Sequence, residues 1–109
     1  MPRLTAEFWV YAYLRRLSLA NIPAFVVHKG DATAGAVLVK SNPLDGHAIL
    51  FLRTYDGDGQ RVWSELAAGS ELEMDNLITR QRKFDPDLWV IEVEDQSGRT
   101  LLDEEGLFG

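Results

Sequence analysis

The stretch SELEMDNLITRQRKFDPDLWVIEVED, Ser70 to Asp95, decides the fold. Ser70 and Glu73 have the spacing of a capping box, in which each side chain satisfies an orphan amide at a helix start. Met74, Leu77, Ile78, Gln81 and Phe84 then share one face at helical spacing. Glu71, Glu73 and Asp75 sit at the positive end of the helix dipole, and Arg80, Arg82 and Lys83 at the negative end. Asp85-Pro86-Asp87 ends the helix, because the residue before a proline is steered out of the α region. A strand follows at once over Leu88–Asp95, with Trp89, Ile91 and Val93 on one side and Glu92 and Glu94 on the other. Ser97-Gly98 is expected to turn the chain into a short strand over Arg99–Leu102.

Towards the amino terminus, Gln60–Leu66 alternates Arg61, Trp63 and Glu65 against Val62, Ser64 and Leu66, the period of a strand. Three apolar runs precede it, Ala24–His28, Ala34–Lys40 and His47–Arg53, each bounded by Gly, Asp, Asn or Pro turn chemistry. Short loops predict that these four strands form an antiparallel meander. Thr5 stands at an N-cap position, and Ala6–Ala20 reads as a helix that Asn21 and Pro23 terminate. The expectation is an α+β fold, an antiparallel sheet of five to six strands with two helices in the order α-β-β-β-β-α-β(-β), both helices over one face. Residues 1–103 read as one domain and 104–109 as a loose tail. Phe25, Val27, Val37, Val39, Ile49, Phe51, Trp89 and Ile91 are the core candidates.

With 109 residues, 46% of them hydrophobic and 26% charged, the chain has an ordinary globular composition and a length that suits one core. Having no cysteine, it has no disulfide, thiolate nucleophile or cysteine-based metal site, which fits a cytoplasmic address. Glu7, Arg15 and Arg16 interrupt the amphipathic amino-terminal segment, so it does not read as a signal peptide. No run approaches the ~18 apolar residues of a membrane span. A formal net charge of −6 repels phosphate backbones and anionic lipid unless basic residues are segregated.

Chemical motifs are weak throughout. Asp56-Gly57-Asp58-Gly59 resembles the start of a calcium loop, but Arg61 falls where that loop needs glycine and Ala67 where it needs glutamate. Gly30 and Gly35 have phosphate-loop spacing, yet Ala36-Val37 replaces the Lys and Ser/Thr that the loop requires. Asp85, Asp87, Glu92, Glu94 and Asp95 could gather a cation, but Asp87 and Glu92 face opposite sides of one strand. His28 and His47, the only imidazoles, lie at strand ends. No cofactor or metal is called for, and no catalytic set emerges.

Arg15-Arg16 and Arg80-Gln81-Arg82-Lys83 would have to converge to make a phosphate-binding surface. The first helix carries two apolar stripes on a 100° wheel, Val10, Tyr13, Leu14 and Leu17 on one side and Phe8, Ala12 and Leu19 nearly opposite. One sheet cannot cover both. The other helix, the tail with Leu107 and Phe108, or another subunit would have to cover the second.

Arg3-Leu4, Glu7-Phe8-Trp9-Val10, Leu14-Arg15-Arg16-Leu17, Ile22-Pro23, Gly30-Asp31, Ala34-Gly35-Ala36, Arg61-Val62-Trp63 and Gln81-Arg82-Lys83-Phe84-Asp85-Pro86-Asp87-Leu88-Trp89 together resemble an uncharacterised alphaproteobacterial domain-of-unknown-function family of roughly this length. The likeness runs from end to end. It implies a stand-alone bacterial cytoplasmic protein and brings no activity, ligand or catalytic residue.

The leading expectation is a non-catalytic cytoplasmic interaction or regulatory module, a candidate homodimer, with its contact surface at Phe8, Trp9, Tyr11, Arg15 and Arg16. The alternative is a small enzyme or ligand-binding domain with a site near His28, Gly30–Gly35 and Asp85–Trp89. A third reading is a binder of a phosphorylated or nucleic-acid partner, which the acidic balance disfavours.

Overall fold

The computed structural model describes residues 5–55, 57–58 and 61–103. The tail 104–109 and parts of the Asp56–Gly59 turn lie outside the described residues. The elements run in the order α1 (Ala6–Leu19), β1 (Ala24–His28), β2 (Val37–Asn42), β3 (His47–Tyr55), β4 (Arg61–Ser70), α2 (Glu71–Phe84) and β5 (Trp89–Glu94). Thr5 caps α1, its hydroxyl accepting from the Phe8 N–H at 3.2 Å. The capping box of α2 is present in both directions.

The five strands form one mixed sheet in the order β1-β5-β2-β3-β4. Strands β2, β3 and β4 are the expected antiparallel meander. β1 is not part of it: β5 lies between β1 and β2, antiparallel to the first and parallel to the second. The physical reason is the run Trp89-Val90-Ile91, buried on both faces, which has to occupy the centre of a sheet covered from both sides. With both edges of β5 already paired, no edge remains for a neighbouring hairpin strand, and Arg99–Leu102 is irregular rather than a sixth strand. The chain turns at Gly98 (φ 73°) and buries Leu102 beneath α1 instead.

The helices cover opposite faces of the sheet, not one. Trp9, Val10, Tyr13 and Leu17 of α1 pack on Val37, Val39, Trp89, Ile91 and Val93. Met74 and Ile78 of α2 pack on Leu38, Ala48, Leu50 and Val90. Alternate side chains of β2 therefore serve two cores, each fully buried aliphatic contributing about 1.5–3 kcal/mol. Val37, Val39, Trp89 and Ile91 are core residues as expected. Phe25 and Val27 are not: α2 covers the middle of its face, and these edge-strand side chains project beyond it, 46% and 39% exposed. Ile49 and Phe51 are half-buried.

Candidate functional site

Among the described residues, the outer face of α1 carries a cluster of exposed apolar side chains, as β1 does with Phe25 and Val27 and α2 with Leu72 and Phe84. The inner stripe of α1 faces the sheet, so at 100° per residue Phe8, Ala12, Arg15 and Leu19 point away from it. Phe8 is 61% and Leu19 71% exposed, and Tyr11 is half-exposed beside them. An open depression of about 410 Å³ lies along the first two turns, lined by Thr5, Glu7, Phe8, Tyr11 and Ala12. Arg15 is exposed and Arg16 half-buried. Glu7 stands 3.7 Å from Lys29.

Trp9 does not belong to this face. On the helical wheel it lies next to Tyr13 at the edge of the inner stripe, and it is buried, stacking on Tyr13 at 4.9 Å and meeting Trp63 at 5.4 Å. The Arg53 guanidinium lies over the same indole at 5.1 Å, within cation–π range. Tyr13 closes the arrangement by donating its hydroxyl to the Thr100 carbonyl at 2.7 Å. Burial pushes that phenol far above its ordinary pKa, so it stays neutral.

A second polar cluster is built around a residue that the motif search passed over. Lys40 lies on β2, on the α2 side with Leu38, and is buried. Its ammonium reaches Asp75 Oδ1 at 2.8 Å, Glu71 Oε1 at 2.9 Å and Glu92 Oε1 at 3.2 Å. Asn42 Nδ2 donates to Glu92 Oε2 at 3.1 Å and to Glu71 Oε1 at 3.3 Å. Burial would lower the Lys40 pKa, but hydrogen bonds to Asp75 and Glu71, with the charge and hydrogen bond of Glu92, outweigh it and the net shift is upward. Lys40 is therefore a fixed cation rather than a nucleophile. Glu94 is held above the usual carboxylate range, first by a hydrogen bond with Glu92, then by burial and by the negative charges of Glu92 and Glu71. Among the described residues no group of His, Asp and Glu has the arrangement to hold a metal ion. A lone lysine in an otherwise apolar run was the sequence signal, since a buried ammonium requires acidic partners.

His28, Gly30–Gly35 and Asp85–Trp89 do come together, through the backbone. The Asp31 N–H donates to the Asp87 carbonyl at 3.0 Å, Trp89 N–H to Ala36 at 2.8 Å, and the Trp89 indole N–H to the Asp31 carbonyl at 2.7 Å. A methyl group on Gly30 would collide with the Asp87 carbonyl, and one on Gly35 would lie 2.5 Å from the same oxygen and 2.9 Å from the Trp89 ring. The glycines thus permit close packing of two chain segments. The loop also serves α1, with the Ala32 and Thr33 carbonyls accepting from the Glu7 and Ala6 N–H groups at 2.9 and 3.0 Å. Slight burial and the nearby Arg82 charge lower the His28 pKa. His47 begins β3, three strand spacings from β1, or roughly 14 Å across the sheet. The two basic clusters do not converge, because α1 and α2 lie on opposite faces.

A family model described as a protein of unknown function, DUF1491, matches residues 4–103. The chain belongs to the DUF1491 family. A crystal structure of a DUF1491 protein from Caulobacter crescentus CB15 is similar with a TM-score of 0.86 and 42% identity, over 94% of this chain and 97% of that one. An NMR structure of a DUF1491 protein from the same organism gives 0.82 and 42%, over 95% and 96%. A solution structure of a protein from A. tumefaciens gives 0.77 and 33%, over 93% of each chain. No curated protein matches.

Several residues of the motifs on which the resemblance rests have structural work in the fold. Gly30-Asp31, Ala34-Gly35-Ala36 and Asp85-Pro86-Asp87-Leu88-Trp89 are the two sides of the glycine contact. Trp9, Val10, Leu17 and Ile22 belong to the α1 core. Others of the same set, among them Phe8, Arg15, Arg82, Lys83 and Phe84, are exposed.

Proposed function

We propose that this DUF1491 protein is a non-catalytic, cytoplasmic protein-interaction module whose contact surface is the outer face of α1. The observation that carries the reading is the second apolar stripe, with Phe8 61% and Leu19 71% exposed on the side opposite the sheet. α2 does not cover it, since α2 lies across the sheet. Exposed apolar side chains clustered on one helix face, with a cation among them, are the usual anchors of a helix-mediated contact. The polar clusters elsewhere support the same view. Lys40 is neutralised by carboxylates, and the glycine loop is filled by Trp89.

A photo-reactive amino acid placed at position 8 or 19 tests this in living cells, with position 72 as the control. Leu72 is as exposed as Leu19, at 71%, but lies on α2. Cross-linked adducts are expected from positions 8 and 19 and not from 72. Equal or absent cross-linking at all three positions would refute the reading.

A further inference from the structure

We infer that the occupant of the α1 face is a second copy of this chain, with the two α1 helices packed antiparallel across a two-fold axis near Tyr11 and Ala12. The inference rests on the interaction reading above and names its partner.

Charge placement favours this arrangement. Glu7 lies in the first turn of α1 and Arg15 two turns later, roughly 12 Å along the axis, with Tyr11 and Ala12 between them. A two-fold through that midpoint brings Glu7 of each copy to the level of Arg15 of the other, forming the contact twice. A parallel pairing would instead set Glu7 against Glu7 and Arg15 against Arg15. An isologous interface requires a patch complementary to itself, and this face is so in the antiparallel sense alone. The same register carries Phe8 to the partner's Arg15, where a guanidinium can lie over the ring. The small Ala12 at the crossing lets the axes approach to about 8–10 Å. The depression beside Phe8 and Tyr11 gives the partner's side chains a place to enter. Glu7 already has a cation 3.7 Å away in Lys29, a long and exposed pair that it can share with Arg15 of the second copy.

For a contact made through one helix face of each copy, weak self-association with a Kd of roughly 10–100 µM is expected. Sedimentation velocity over a concentration series should show a monomer–dimer equilibrium for the unaltered chain. Glu7→Arg and Arg15→Glu should each weaken it about tenfold or more, by replacing two attractive contacts with two repulsive ones. The decisive sample is the equimolar mixture of the two variants. Both contacts are attractive again in the mixed dimer, so dimer should return there while each variant alone stays monomeric. Unchanged circular dichroism and melting temperature establish that both variants fold, and a variant that fails this check is replaced by Glu7→Lys or Arg15→Asp. An unaltered chain that is monomeric at about 500 µM overturns the second copy as occupant. A dimer that ignores both substitutions, or a mixture that stays monomeric, overturns the antiparallel register. Should position 8 cross-link to a different protein while the chain is monomeric, the interaction reading stands and this inference falls.

Discussion

Lys40 Nζ lies 2.8 Å from Asp75 Oδ1, so a buried cation on the second strand of the chain is tied to the amino-terminal half of the second helix. Sheet and helix are joined here by charge as well as by the apolar contacts of Met74 and Ile78.

Removing the cation should cost more than removing an anion. Lys40→Met leaves Glu71, Asp75 and Glu92 facing one another without compensation, and about 3 kcal/mol of stability should be lost. Asp75 is half-exposed, so Asp75→Asn should cost no more than about 1 kcal/mol. Urea unfolding of both variants measures the difference, and equal losses would contradict a central role for Lys40.

Acidity should act through Glu94. Its carboxyl is raised in the folded state, so the folded chain binds the proton more tightly than the unfolded one. Stability from this group therefore grows as pH falls through the raised value and levels off near the unfolded value of about 4.3. Glu94→Gln should be more stable than the parent at pH 7, with the gap closing towards pH 4.3. Glu73 and Asp95 are shifted the opposite way, Glu73 by hydrogen bonds from Ser70 and Asp95 by those from Arg99, so their contributions are lost only below that range. Lys40 stays charged throughout. A Glu94→Gln profile parallel to the parent's would exclude the effect.

Gly35→Ala should be destabilising by about 1–3 kcal/mol, because the new methyl meets the Asp87 carbonyl and the Trp89 ring rather than open space. Gly57→Ala is the matched control: nothing lies within 4 Å of a methyl there. Thermal melts of the two variants should differ by several degrees, and coincident melts would show that the packing can relax.

Phe8→Ser and Leu19→Ser should leave folding stability within about 0.5 kcal/mol of the parent, as expected of exposed positions without a structural partner. Leu17→Ser, two residues before Leu19 but on the opposite, inner stripe, is the contrast and should cost about 2–5 kcal/mol. Large losses at Phe8 or Leu19 would mean that these side chains support the fold itself.

Local chemistry was legible in the sequence where a feature depends on neighbours along the chain. Ser70 with Glu73, Thr5, and the break at Asp85-Pro86 each act within a turn, and their elements begin and end as read. Features set by long-range pairing were not legible. A strand buried on both faces has no alternation, so β2 and β5 did not reveal that they serve two cores. Val90, between Trp89 and Ile91, was the clue to a central strand. The double stripe of α1 was readable because a helix wheel needs no partner, whereas the place of Trp9 on it required knowing which stripe the sheet takes. The Lys40 cluster draws on three separate elements, β2, α2 and β5, and only the isolated lysine marked it.

The position of β5 has a consequence for how the molecule is made. An interior strand of the sheet is the last of the described strands to be synthesised, so until Trp89–Glu94 emerges, β1 has no hydrogen-bonded neighbour and neither core is complete. The first four-fifths or so of the chain is then expected to wait, with the α1 core incomplete, and to reach the native state in one late step rather than piece by piece during translation. A chain ending before Trp89 should show no cooperative unfolding transition, and a nascent chain stalled there should remain open to proteases.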